Sequence, residues 1–231
     1  APNCVVRGLQ VGNCPGDGIM IYLANGCVVT GCYVGVDFGG VAARPNLGSG
    51  VHVFVSSGCR VGGPDPADRN VIAGNGGTDI ATANVNLWGN SSNVAACHDN
   101  VVQGNRIGTN AAGTASIGSQ QRGVRLYFQT QALVGGHAAG EGNLIAGHQE
   151  CGILAEAVGA TGNVIEGNLI GTNAQGAAAL ANGSGVKLAY GATGCRIGGP
   201  LAGAGNVISG NLTDGIFCEG SDHTIQGNRI G

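Results

Sequence analysis

Single aliphatic residues alternate with polar or small ones along this chain, in runs of only four or five, and the runs recur. NVVQGNRIGTNAAG at 100–113 returns as NVIEGNLIGTNAQG at 163–176 and again as TIQGNRIG at 224–231. A second phrase alternates with it: VGGPDPADRNVIAGN at 61–75, VGGHAAGEGNLIAGH at 134–148 and IGGPLAGAGNVISGN at 197–211. A third precedes each of these, as GVHVFV from Gly50, GVRLYF from Gly123 and GVKLAY from Gly185. A period of two over so short a span is the pattern of a half-buried strand. Laid end to end, the phrases define a unit of three short strands.

First strands are predicted near Gly18, Gly50, Asn84, Gly123, Gly152, Gly185 and Gly215. One unit therefore spans roughly 29 to 39 residues, and seven units follow a partial one at 4–16. A strand of this length cannot bury itself. Stacking each strand on its equivalent in the next unit, about 4.8 Å away, buries every aliphatic column. Three parallel strands per turn with no helix between them make a single-stranded parallel β-helix, an all-β fold of about seven to eight coils. It is expected to form one domain over 1–231, with Ile107, Ile145, Ile170 and Ile208 in one buried column.

The x-Gly-Asn-x phrase is then a corner. Asn105, Asn168 and Asn228 fall between second and third strands, where the chain must bend within one or two residues. Asn tolerates the left-handed conformation, and stacked Asn amides can hydrogen-bond up a column. In alternate coils this corner is opened by a six-residue loop (Pro64–Arg69, His137–Gly142, Pro200–Gly205). The other coils carry a longer loop after the third strand (Val36–Ser49, Thr109–Arg122, Thr172–Ser184).

These repeats resemble the right-handed parallel β-helix repeats of the pectate-lyase-like superfamily, in particular the Asn-x-Ile-x-Gly-Asn-x-Ile pattern common in secreted bacterial proteins. The resemblance covers essentially the whole chain and implies a right-handed coil. It says little about function, because lyases, hydrolases, epimerases, tailspikes and adhesins share the fold.

Composition narrows the classes. Forty-seven Gly and 21 Asn exclude a helical bundle, since Gly costs about 1 kcal/mol per helix site. No strict Gly-X-Y period supports collagen, and the regular Val and Ile positions argue against disorder. A net charge of −3 with ten Lys+Arg and no basic cluster speaks against nucleic acid. No apolar run is long enough to span a membrane. The chain opens APNC without Met or signal peptide, which suggests a mature or excised segment.

Nine Cys without C-x-x-C or His/Cys metal spacing do not read as a zinc site. Cys4, Cys27, Cys59 and Cys195 share one repeat position at the start of the second strand, filled elsewhere by Asn100, Ala132, Asn163 and His223. A column of buried free thiols is expected there, and adjacent coils would also permit a Cys27–Cys59 disulfide. Cys32 replaces a corner Asn, and Cys218 is expected to point into the core.

The outward positions of the first strands hold the candidate chemistry. Tyr22, Phe54, Trp88 and Tyr127 fall in one column on four successive coils, beside His52, Arg125 and Lys187. Three readings compete: a stacked ladder that stiffens the sheet, an apolar strip covered by another chain or by a further part of the protein, and a platform for sugar rings with flanking polar groups. In pectate-lyase-like proteins the glycan groove lies along such a sheet, so the resemblance favours the third. For catalysis the clustered polar trio is Glu156, Lys187 and Glu219, with the two carboxylates two coils apart. A solvated cross-strand ion pair is the plainer account of it. Asp65 and Asp68 in PDPADR offer oxygen ligands for Ca2+, but the matching loops HAAGEG and PLAGAG lack them, and turn chemistry accounts for the pair. No cofactor is expected. The sequons at Asn90, Asn182 and Asn211 are expected by chance in so Asn-rich a chain.

Neither end carries a capping helix, so either the region is cut from a longer secreted protein or its coil ends meet neighbouring chains, head to tail in a filament. The sequence thus points to a non-catalytic, secreted or cell-surface solenoid with a structural or adhesive role. The alternative is a polysaccharide lyase, hydrolase or glycan-binding module acting through the first-strand face.

Overall fold

A computed structural model describes residues 1–76, 81–92, 97–118 and 120–231. The short alternating runs fold as expected into strands of two to six residues. These sort by threes into three all-parallel sheets: seven first strands, eight second strands and eight third strands. The extra strand in two sheets belongs to the partial unit, Val5–Arg7 and Gln10–Val11. Among the described residues the sole helical turn is a 3-10 turn at Pro66–Asp68, inside a corner loop. The chain is a parallel β-helix.

Register follows the aliphatic columns. Ile107 pairs with Ile145, Ile145 with Ile170 and Ile170 with Ile208. All four are 0–1% exposed. A one-residue slip would turn such a column to solvent, so the columns lock the register.

The corner between second and third strands differs in one respect from expectation. Asn105, Asn168 and Asn228 are absent from the left-handed residues; the glycines before them, Gly104, Gly167 and Gly227, take φ of 68–70°. A Cβ on Gly167 would lie 2.0 Å from the Gly136 carbonyl oxygen, so the bend needs glycine for space as well as for φ. Glycine makes the turn, and asparagine is left free to bond. From Asn105 onward each amide in this column is saturated. Asn143 Nδ2 donates to Asn168 Oδ1 (2.9 Å) and to the Val102 carbonyl (2.8 Å). Its Oδ1 accepts from Asn105 Nδ2 and the Asn105 backbone N–H, both at 3.0 Å. The same links run from Asn70 to Asn228. In a buried amide with all four bonds made, those bonds offset the cost of leaving water.

A second ladder occupies the corner before the first strands. Asn46 Nδ2 donates to Asn75 Oδ1 (2.8 Å) and Asn75 Nδ2 to Asn84 Oδ1 (3.0 Å). The column continues through His148 to Asn182 and Asn211. Asn182, in one of the sequons, is fully buried here.

The longer loops form a second layer of contacts outside the coils. Each closes on itself by an antiparallel bridge (Val36 with Ala43, Thr109 with Ser116, Thr172 with Ala179). They also reach one another: Ala111 N–H donates to Gly40 O (2.9 Å) and Ala174 N–H to Gly113 O (2.8 Å). The loops of alternate coils thereby span the coil between them.

All nine cysteines are free thiols; Cys27, Cys32, Cys59, Cys97, Cys151 and Cys195 are buried, but Cys4 and Cys218, expected to face inward, are exposed, because they lie in terminal coils stacked on one side alone. Burial pushes up the thiols of Cys59, Cys97 and Cys195, and that of Cys151 to about 12. The thiolate is the reactive form. Shielded by burial, the six should resist a maleimide at pH 8 and label only on denaturation; native labelling of Cys59 or Cys195 would contradict the inward column.

Candidate functional site

Alternation along the first strands turns every second side chain away from the core, and register stacks those side chains on one sheet. Two outward columns result. One runs Met20, His52, Asn86, Arg125, Leu154, Lys187, Phe217; the other runs Tyr22, Phe54, Trp88, Tyr127, Glu156, Ala189.

The aromatic column is a continuous stack. Tyr22 and Phe54 lie parallel with centroids 5.5 Å apart. Phe54 meets Trp88 edge to face at 6.1 Å, and Trp88 meets Tyr127 at 4.9 Å. His52 joins from the neighbouring column, 5.5 Å from Phe54 and 5.9 Å from Trp88. The guanidinium of Arg125 sits over both Trp88 (4.7 Å) and Tyr127 (4.3 Å). Such geometries add to the area that each ring buries. Tyr22 is exposed, while Phe54, Trp88 and Tyr127 are half-buried. The sheet therefore keeps part of each ring open to a ligand.

Pointing outward does not mean reaching solvent. Leu154 is 0% exposed, Asn86 1% and Arg125 7%. Ion pairs roof the middle of the face: Arg125 Nε to Glu156 Oε1 at 2.5 Å, and Arg122 Nε to Glu150 Oε2 at 2.7 Å. Lys187 turns to Glu150 (3.8 Å). The trio Glu156, Lys187 and Glu219 is thus dispersed into separate contacts. Glu156 belongs to Arg125, Lys187 to Glu150, and Glu219 accepts the Tyr190 N–H at 3.4 Å.

Asp65 and Asp68 are likewise engaged in their own loop. Asp65 Oδ1 caps the 3-10 turn by accepting the Ala67 N–H (2.8 Å). Asp68 faces Arg7 and Arg60, each at 3.5 Å. Two arginines on one carboxylate fit an ion-pair network better than a Ca2+ ligand set.

The alternation pattern missed a cleft of about 350 Å³ that opens beside the aromatic stack. Pro15–Asp17 and Leu47–Ser49 form one wall, Ala81 and Thr82 the other, and His52, Asn86 and Trp88 the floor. Asp17 precedes the first strand at Gly18, where the coil corner carries it to the edge of the sheet. Its Oδ2 lies 2.8 Å from His52 Nδ1, and its Oδ1 accepts the Ser49 N–H at 2.6 Å. Burial pushes the Asp17 carboxyl up, but the His52 hydrogen bond and charge and the Ser49 N–H outweigh it and hold the group below the usual carboxylate value. Two atoms at the floor, His52 Nε2 and Asn86 Oδ1, are buried with no hydrogen-bond partner.

No protein-family profile, curated protein or solved structure matches the chain. The site is therefore read from its own chemistry: an aromatic strip, a buried arginine paired with glutamate, and a polar cleft at its edge.

Proposed function

We propose that this protein is a non-catalytic, extracellular β-solenoid that adheres to polysaccharide through its first-strand sheet. The observation that carries this reading is the unbroken stack of Tyr22, Phe54, Trp88 and Tyr127 with a polar cleft beside it. Ring faces stack on the C–H faces of sugars, and neighbouring polar groups can fix the hydroxyls. A rigid sheet holds the rings at a constant rise, so recognition incurs little ordering entropy. Binding is preferred to cleavage because the carboxylates an acid–base pair would need are already committed: Glu156 to Arg125 and Glu150 to Arg122 and Lys187.

The double substitution Trp88→Ala and Tyr127→Ala tests it. Retention on insoluble polysaccharides should fall at least tenfold, with the far-ultraviolet dichroism spectrum unchanged. Equal retention by the folded variant would leave the stack a stiffening device and sink the adhesive reading.

A further inference from the structure

The floor of the cleft presents two unpaired buried acceptors. Asp17 is an ionised carboxylate and cannot donate, so when the His52 ring carries one hydrogen that hydrogen sits on Nδ1, pointed at Asp17 Oδ2. Nε2 is left as a lone-pair acceptor. Asn86, the register partner of His52 on the next coil, spends both amide hydrogens, on the Ala81 carbonyl (3.1 Å) and on Ser49 Oγ (3.3 Å). Flipping this amide would set its oxygen against the Ala81 carbonyl, so the orientation is determined and Oδ1 stays unpaired. Two orphan acceptors thus sit on adjacent strands beside Trp88. Leaving a buried acceptor unpaired is costly, and native proteins seldom do so without a reason.

We infer that the cleft is a subsite for an uncharged sugar, whose hydroxyls donate to His52 Nε2 and Asn86 Oδ1 while its ring lies against Trp88, and that it discriminates against uronates. The inference rests on the polysaccharide-binding reading above and narrows it. A uronate carboxylate would set further acceptors against these two, next to the negative charge of Asp17. The nearest cation cannot compensate, because Arg125 already binds Glu156 (2.5 Å) and the Ala81 carbonyl (3.0 Å). Neither orphan atom touches bulk solvent, so the hydroxyls enter as Trp88 shifts. Trp88 is half-exposed, in ring contact with His52, and the chain's one tryptophan. Its emission should therefore report occupancy.

The test is a fluorescence titration of the full chain at pH 7.5 with three sets of soluble oligosaccharides: neutral manno-, xylo- and cello-oligomers, polygalacturonate oligomers, and chitosan oligomers. A neutral series should shift the emission saturably and bind at least tenfold tighter than the uronates. His52→Phe should weaken that neutral series about tenfold and leave the uronates unchanged. The comparison among ligands on the unaltered protein stands even if this variant fails to fold. Uronates binding as tightly as neutral sugars, or chitosan binding tightest, would overturn the subsite inference while adhesion through the aromatic stack survives. If no polysaccharide retains the protein at all, the adhesive reading fails first and the subsite with it.

Discussion

Replacing Ile170 with Asp is expected to unfold the middle coils. Ile170 is fully buried, with Ile145 stacked on one side and Ile208 on the other. Loss of the aliphatic side chain alone costs about 2–5 kcal/mol. The carboxyl that replaces it has no partner in this column, and burying an unpaired polar group costs a further few kcal/mol, roughly 1–3 by mutational data. Against a typical total stability of about 5–15 kcal/mol, the sum is a large fraction or all of it. In a solenoid each coil touches only its neighbours, so damage should start locally. Hydrogen exchange should show lost protection around Val164–Glu166, Leu169–Ile170 and Val207–Ile208 before the distant coils. The companion Ile170→Val should cost only about 0.5–1.5 kcal/mol. A soluble Asp variant with an unchanged melting temperature would mean that Ile170 does not face the core.

That residue was legible because alternation and repetition gave the same answer independently. Asn-x-Ile-x-Gly-Asn-x-Ile sets the period of two within a strand and the stacking of one strand on the next. The Asn105–Asn168–Asn228 column could be read for the same reason, although not the division of labour in which Gly104, Gly167 and Gly227 make the bend. The second ladder was not legible. Its members follow loops of different length, and it changes chemistry at His148 and draws Asn84 from the start of a first strand.

The candidate site divides in the same way. Register brought Tyr22, Phe54, Trp88 and Tyr127 together as their spacing implied. Alternation says which way a side chain points but nothing of what closes over it, so the burial of Leu154, Asn86 and Arg125 could not be foreseen. The cleft was hidden for a third reason. Asp17 and His52 are 35 residues apart in different kinds of element, and only the coil geometry carries a corner carboxylate to the neighbouring strand.

Acid should destabilise the fold between pH 6.5 and about 4 through His148. This ring replaces a ladder asparagine: Asn75, Asn182 and Asn211 hold the matching position in other coils. It is fully enclosed, between Asn84 Nδ2 at 3.0 Å from Nε2 and Asn182 Oδ1 at 2.9 Å from Nδ1, with Gly108 and Gly123 against its edge. None of these groups titrates. Asn84 Oδ1 already accepts from Asn75, so Asn84 faces the ring as a donor and requires an unprotonated Nε2. A proton on Nε2 would set donor against donor in a fully buried site. Burial accordingly lowers the His148 pKa from 6.5 to about 4, despite the opposing hydrogen bond to Asn182. The unfolded chain takes up this proton as pH falls through 6.5, and the folded chain does not until about 4. Between those values the unfolded state holds more protons, so stability falls with pH, by up to about 3 kcal/mol at about 1.4 kcal/mol per pH unit. Above pH 6.5 the ring is neutral in both states and contributes no slope. The Asp17 carboxyl, held below its usual value of 3.8, titrates lower still and leaves this window clear. His148→Asn restores the repeat residue and should flatten the melting temperature between pH 7 and pH 5, where the unaltered chain should drop by several degrees. Parallel pH profiles for the two proteins would show that His148 is not buried as the neutral ring.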